Sequence, residues 1–283
     1  MKLKYLGTGA AEGMPALFCA CPVCLRSQQE GGKSLRMRSC TLLDENVLID
    51  LSPDIFAQKL RYGLRLDQLR AVVFTHAHPD HEDMFALQLR ATPSCSVRPG
   101  VAEEEDVLDL YGDPWVGRRL EQALEAQPHA VRGRFRYHEV HPYEPFAVGP
   151  YTFYPLRANH RREEGEPCLI YAVTDGKTAF LYANDTGETD LENDAYLRSI
   201  GLHFSLVSMD CARGLLPGDG HMGFRECLAL RDRLVSIGAV DQNTQYLLNH
   251  LSHMNDMTHS EWEAYAAPYG IGVAYDGVEV IIQ

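Results

Sequence analysis

No stretch of this chain approaches the roughly 20 consecutive apolar residues that a membrane-spanning helix requires, so no membrane partner is expected. The N-terminus, Met1-Lys2-Leu3-Lys4-Tyr5, has no long apolar region behind it and reads as a first strand, so export is not indicated. Low-complexity linkers are missing too. At 283 residues and 45% hydrophobic content the chain can bury a large core, and a single domain over residues 1–283 is expected. Positive charge is in short supply: 26 Lys and Arg face 39 Asp and Glu, a formal net charge of −13. Such a balance repels polyanions, whereas an enzyme that tracks RNA is expected to show a basic face. Gly7-Thr8-Gly9 lacks the third glycine of a dinucleotide-binding loop, Glu12 standing in its place, and is expected to form a tight turn instead. The 8 Cys, with no export signal, point to a reducing compartment, the cytoplasm, where thiols bind metal or pack inside. Cys40, Cys95, Cys168, Cys211 and Cys227 are assigned to the core.

What is present is concentrated at His76-Ala77-His78-Pro79-Asp80-His81, three imidazoles and a carboxylate within six residues. The alternative, a solvated polar loop, leaves that density of metal-binding atoms without a purpose. Ala71-Val72-Val73-Phe74 suits a buried strand, and Met84, Phe85, Leu87 and Leu89 suggest a helix after the cluster. A strand-to-helix turn holds loop residues rigidly from both sides. His76 and His78 can point to one side, while Asp80 and His81, placed at the opening of the helix, can face a second ion. Further ligand types end later apolar runs: His160 after Tyr151–Asn159, Asp185 after Ala179–Asn184, and His250 after Tyr246–Asn249. Each would be delivered to a common sheet edge, although a capped turn residue is the alternative for any one of them alone.

The order His-x-His-x-Asp-His, His, Asp, His resembles the metallo-β-lactamase fold superfamily, with Asp50 after Val47-Leu48-Ile49 matching its first acidic motif. The resemblance implies that His76, His78 and His160 hold one divalent ion, that Asp80, His81 and His250 hold another, and that Asp185 bridges them. Asp50 would hold the His loop by hydrogen bonds. Cys19-Ala20-Cys21-Pro22-Val23-Cys24 places three thiols where one soft ion could sit, and His253, three residues after His250, could close a Cys₃His structural zinc site. A redox or disulfide role for these thiols is the alternative. This pair of features is similar to the PhnP-type phosphodiesterases, a branch related to tRNase Z. In such groups a His in the region of Gly218-Asp219-Gly220-His221 contacts the scissile phosphate, which makes His221 a candidate proton donor, a helix-capping loop His being the alternative.

The resemblance also implies an α/β (α+β) fold, the four-layer αββα sandwich. Composition and pattern contribute strands at Val47–Leu51, Ala71–Phe74, Tyr151–Leu156, Leu169–Val173 and Thr178–Ala183, with Thr174-Asp175-Gly176-Lys177 a hairpin turn. Helices are predicted at Pro53–Tyr62, Val116–Ala126, Phe224–Ile237 and Ser260–Ala267, the last behind a Thr258-x-x-Glu261 capping box. Residues 96–136 carry no usable motif and read as an insertion: a lid, a homodimer contact or plain surface. Many relatives have glycine where this chain has Met84, which would reshape the pocket floor. The expected function is a dinuclear metal-dependent phosphodiesterase for small, including cyclic, phosphate diesters such as a phosphoribosyl cyclic phosphate. Two divalent ions, Mn or Zn, would serve the active site beside the structural zinc, with Asp80 helping to orient the attacking hydroxide and His221 acting on the leaving group. The alternatives are a tRNase Z-like endoribonuclease, which the acidic run Glu103-Glu104-Glu105-Asp106 disfavours, a glyoxalase-type thioester hydrolase, and a noncatalytic binding or carrier protein on the same scaffold. Arg157, Arg161 and Arg162 beside His160 could still bind an anion.

Overall fold

The computed structural model describes residues 1–102, 105–160 and 168–283. Glu103 and Glu104 of the acidic run, and Arg161 and Arg162 after His160, lie outside the described residues. The first half of the chain builds one sheet from β1 (Lys2–Gly7), β2 (Cys40–Leu43), β3 (Val47–Ile49), β4 (Ala71–Val73), β5 (Leu108–Gly112) and β6 (Phe135–Glu139). The second half builds another from β7 (Phe146–Val148), β8 (Tyr151–Arg157), β9 (Leu169–Thr174), β10 (Ala179–Ala183), β11 (Leu206–Asp210), β12 (Gln245–Asn249) and β13 (Gly272–Val273). The chain then returns, and β14 (Glu279–Ile281) pairs antiparallel with β1 at the edge of the first sheet.

Two sheets face to face, each covered on its outer side by helices, make the αββα sandwich. The helices are α1 (Pro22–Glu30), α2 (Ile55–Tyr62), α3 (Met84–Ala91), α4 (Pro114–Glu125), α5 (Leu191–Ile200), α6 (Phe224–Ser236) and α7 (His259–Ala266). Three apolar clusters follow from this layering. Leu3, Tyr5, Ile49, Val73, Phe153, Tyr171, Phe180 and Tyr182 fill the space between the sheets. Leu6, Leu48, Val72, Phe74, Val116 and Leu120 pack the first sheet against its helices, and Leu181, Met209, Cys227, Leu230 and Trp262 pack the second. Strands buried on both faces read as continuous apolar runs, which is why Ala71-Val72-Val73 and Leu169–Val173 are legible as strands.

The pairing that matters for the site is parallel. β3, β4, β5 and β6 run parallel in the first sheet, and β10, β11, β12 and β13 run parallel in the second. Their C-terminal ends therefore lie along one edge, where the chain leaves into loops.

Several details depart from expectation. Residues 96–136 supply β5, hydrogen-bonded to β4, and α4, so most of the segment belongs to the first sheet and its helical layer. Asp80 and His81 lie in a turn, and α3 starts only at Met84, because the Asp83 carboxylate caps it by accepting from the Phe85 and Ala86 amides. Met84 packs against the core of the first sheet. Gly7 and Gly9 are not in a left-handed turn. A Cβ on Gly7 would stand 2.0 Å from the Arg38 carbonyl oxygen, so close backbone approach is what requires glycine there. Cys95 is exposed rather than core, because the turn after α3 leaves it at the surface. Cys40, Cys168, Cys211 and Cys227 are buried.

Candidate metal centre

His76, His78 and Asp80 leave β4, His160 leaves β8, Asp185 leaves β10 and His250 leaves β12, and the tertiary fold brings all of them to one sheet edge. The imidazoles are oriented from behind, and the partners identify the tautomers. The His160 Nδ1–H donates to the Gly220 carbonyl at 2.8 Å, and the His81 Nδ1–H to the Asp50 carboxylate at 2.7 Å, because neither oxygen can donate. The Thr75 hydroxyl donates to Asp50 at 3.0 Å and so accepts from His76 Nδ1 at 2.9 Å. Ser39 in the same way relays His250 Nδ1, at 2.8 Å, to the Gly9 carbonyl at 3.3 Å. Four imidazoles thus aim Nε2 at the centre, bare whenever the ring is neutral.

These bare nitrogens converge on one another and on carboxylate oxygens. His76 Nε2 and His160 Nε2 approach His78 Nδ1 at 2.9 and 3.1 Å. His81 Nε2 lies 3.1 Å from Asp80 and 2.9 Å from Asp185, and His250 Nε2 lies 3.1 Å from Asp185. His81 Nε2 and Asp185 Oδ2 are buried yet make no properly directed hydrogen bond among the described residues. Lone pairs facing lone pairs in a buried site repel unless a cation sits among them. The electrostatics agree. Burial disfavours charge on His81, yet Asp185, Asp50 and Asp80 hold its pKa well above the usual imidazole range, so this half of the centre favours a positive charge. Burial and neighbouring imidazoles push His76 well below that range, which favours the neutral ring that a metal could bind. The donor set of imidazole and carboxylate fits divalent Zn, Mn or Fe, with His76, His78 and His160 grouped on one side and Asp80, His81 and His250 on the other.

His221 stands beside this centre, outside those two groups but within reach of Asp185, Asp210 and His250, with which it makes a further cluster of metal-binding types. Its Nδ1–H donates to Asp210 at 2.7 Å, and its ring stacks on that of His250 at 5.5 Å. Burial opposes its charge, but Asp210, with Asp185 and Asp80 beyond, raises its pKa to about 9. Asp210 escapes the sequence reading, although it ends the apolar run Leu206-Val207-Ser208-Met209 in the same pattern that exposes Asp185. Ser39 carries no such signal, because a lone Ser before a strand is indistinguishable from any turn residue. Arg157 is exposed and lies 3.7 Å from Glu192.

Cys19, Cys21, Cys24 and His253 also come together. His253 Nδ1 lies 3.4 Å from Cys19 Sγ and 3.5 Å from Cys21 Sγ, close to the roughly 3.5 Å that separates sulfur and nitrogen ligands on one tetrahedral zinc. Burial raises the Cys21 thiol, but His253, the Cys24 amide and Cys19 bring it down to about 6, the thiolate that zinc binding needs. Glu12 accepts from Ser252 and lies 3.7 Å from His253 Nε2, a negative charge on the side of the ring away from the sulfurs.

Residues 45–240 match the sequence family described as the β-lactamase superfamily domain. The chain belongs to this superfamily. Among superfamily structures, a diphosphatase of the PhnP family superposes with a TM-score of 0.73 over 100% of this chain and 98% of its own, at 23% identity. Relatives also align in sequence. An octanoyltransferase from Porphyromonas gingivalis is 32% identical over 285 residues, covering 100% of this chain and 52% of that protein. A ribonuclease Z from Thermosynechococcus vestitus is 28% identical over 176 residues, covering 62% of this chain and 37% of that protein. The chain therefore spans about half the length of the first relative and little more than a third of the second. Among the described residues no helix is long and apolar enough to cross a membrane.

Proposed function

We propose that this chain is a divalent-metal-dependent hydrolase of small phosphate diesters. The observation that carries the reading is His221, an imidazole whose Nδ1–H is held by Asp210 at 2.7 Å beside the His/Asp centre, outside the two three-residue groups that would hold the ions. Two ions, when bound, would neutralise phosphate charge and acidify water. The chain's own residues do the rest. His76, His78 and His160 would hold one ion, Asp80, His81 and His250 the other, and Asp185, within 3.1 Å of both His81 and His250, suits the shared position. Asp80 would also orient the attacking water. His221, whose Nε2 has no partner among the described residues, would donate a proton from that atom to the departing oxygen. Cys19, Cys21, Cys24 and His253 would hold a structural zinc.

The net charge of −13 favours a small diester over RNA. Ribonuclease activity is the second reading, supported by the 28% identical ribonuclease Z. The octanoyltransferase relative adds an octanoyl thioester to the substrates to be compared, although nearly half of that protein lies outside the match. The test is a panel of a ribose cyclic phosphate, an alkyl and a nitrophenyl diester, precursor tRNA and an octanoyl thioester, each given to metal-replete enzyme. Diester turnover that depends on added metal is expected. In His221→Ala, turnover of the alkyl diester should fall by roughly 10² to 10⁴ and that of the nitrophenyl diester far less, since nitrophenolate leaves without a proton. Turnover confined to precursor tRNA or to the thioester would overturn the reading.

A further inference from the structure

A chain of buried hydrogen bonds crosses from the first sheet to the second beneath the metal centre. Thr41 Oγ1 and the Tyr182 hydroxyl share a bond of 3.2 Å, Asn184 Nδ2 donates to the Tyr182 hydroxyl at 2.9 Å, and Asn249 Nδ2 donates to Asn184 Oδ1 at 3.3 Å. All four residues are fully buried. Their places in the chain are specific. Thr41 on β2 pairs with Ile49 on β3, the residue before Asp50, while Asn184 and Asn249 immediately precede Asp185 and His250.

Asp50, Asp185 and His250 share a second property. Each takes a left-handed backbone conformation, with φ of 63°, 50° and 54°. Side-chain-bearing residues populate that region sparsely, and they stay there only when their surroundings impose it. The layer around them is mostly apolar, with Ile49, Val73, Phe153, Phe180 and Leu206, although Tyr5, which pairs with Thr41, adds a further buried hydroxyl. Two amides and two hydroxyls in such a layer cost stability unless every group is satisfied, and Asn249 Oδ1 makes no hydrogen bond among the described residues. Apolar residues of similar volume would carry no such desolvation cost, so stability alone gives no reason for the chain.

We propose that Thr41, Tyr182, Asn184 and Asn249 are positioning residues. They fix the strand ends of the second sheet against the Asp50 turn of the first, and so set Asp185 and His250 at the distance from His81 at which the three can share a cation. A two-sheet sandwich can slide or spread by fractions of an ångström at modest cost, whereas a metal site tolerates little displacement of its ligands. A polar tie directly behind the ligands removes that freedom. The inference rests on the metal-centre reading above.

The experiment compares full-length wild type with Tyr182→Phe, Asn249→Leu and the milder Thr41→Val. Zn²⁺ affinity is measured by competition with a chelator, and the visible spectrum of the Co²⁺ form is recorded. Leu124→Ala, in α4 on the outer side of the first sheet, is the control for general destabilisation. Each positioning variant is expected to weaken binding at the His/Asp centre by about 10- to 100-fold and to alter the Co²⁺ spectrum. The Tyr182→Phe/Asn249→Leu double variant should be no worse than the weaker single, since both break one chain. Leu124→Ala, at an equal or larger loss of Tm, should leave affinity and spectrum unchanged. Unchanged affinity in the positioning variants overturns the proposal alone, as does a loss that Leu124→Ala reproduces. A wild type that takes up no ion beyond the one that Cys21→Ser removes overturns the metal-centre reading together with the proposal.

Discussion

Asp185 and His221 stand 3.9 Å apart, yet their removal should have opposite signatures. Asp185 touches both His81 and His250, so Asp185→Ala should lose bound metal, read by elemental analysis, and should lose activity alike on substrates with good and poor leaving groups. His221→Ala should keep its metals. Asp210→Asn should resemble His221→Ala in its dependence on the leaving group, since it removes the acceptor that holds the ring and the charge that raises its pKa. The sign follows from that shift. A proton donor with a raised pKa is competent below about 9 and is lost as pH rises through that value. The alkaline limb of kcat/KM should therefore move to lower pH in Asp210→Asn. A limb that stays in place would remove His221 from the role of acid.

At the scale of elements, α1 and the short turn at His253–Asn255 are joined through the Cys19, Cys21, Cys24 and His253 cluster, a tether across more than 200 residues of sequence. Zinc held there would tie the N-terminal loop to the segment that follows His250. Cys21→Ser should remove one ion per chain and lower Tm by several degrees, while turnover per folded molecule changes little, because the tether is away from the reacting atoms. Equal stability with lost turnover would place the cluster in the chemistry instead.

The same two regions meet again at α7. The buried Arg36 guanidinium donates to His259 Nδ1 at 2.9 Å, and His259 Nε2 faces Glu263 at 3.0 Å. Burial, with Arg36 beside it, lowers the His259 pKa to about 4 from an ordinary 6.5. The unfolded chain therefore takes up a proton over this interval that the folded chain refuses. Stability should fall as pH drops from about 6.5 to about 4, with no further loss from this group below that. His259→Gln keeps an acceptor for Arg36 and cannot titrate. Its Tm should be flatter over that interval than the wild-type Tm, and parallel curves would assign the acid sensitivity elsewhere.

For the whole molecule, a net charge of −13 makes every encounter with an anionic substrate repulsive at long range. Salt screens that repulsion over a distance of about 10 Å at 0.1 M. At fixed metal occupancy, kcat/KM for a small anionic diester should thus rise as ionic strength is raised from low values. An enzyme that grips RNA through phosphate contacts should show the reverse.

Much of the candidate site is legible in the sequence by itself, because its ligand-type residues are dense there or terminate apolar runs. His76, His78, Asp80 and His81 lie within one turn, and Asp185 and His250 end strands buried on both faces, where a polar residue stands out. The continuous apolar runs of β9 and β10 and the helical periodicity of α6 are legible for the same reason: each element's own pattern encodes burial. What the sequence could not decide is which strand ends share an edge. That follows from parallel pairing of strands far apart in the chain, and pairing is settled by the joint packing of two sheets rather than by any local run. The weak strands β5 and β6 are defined by their neighbours, so a segment that reads as an insertion supplies a strand and a helix. Asp210, Ser39 and the Thr41–Tyr182–Asn184–Asn249 tie belong to the same class. Each acts through a partner more than ten residues away or across a sheet, except for the two-residue step from Tyr182 to Asn184. Such partnerships are created by tertiary contact and leave no spacing to read.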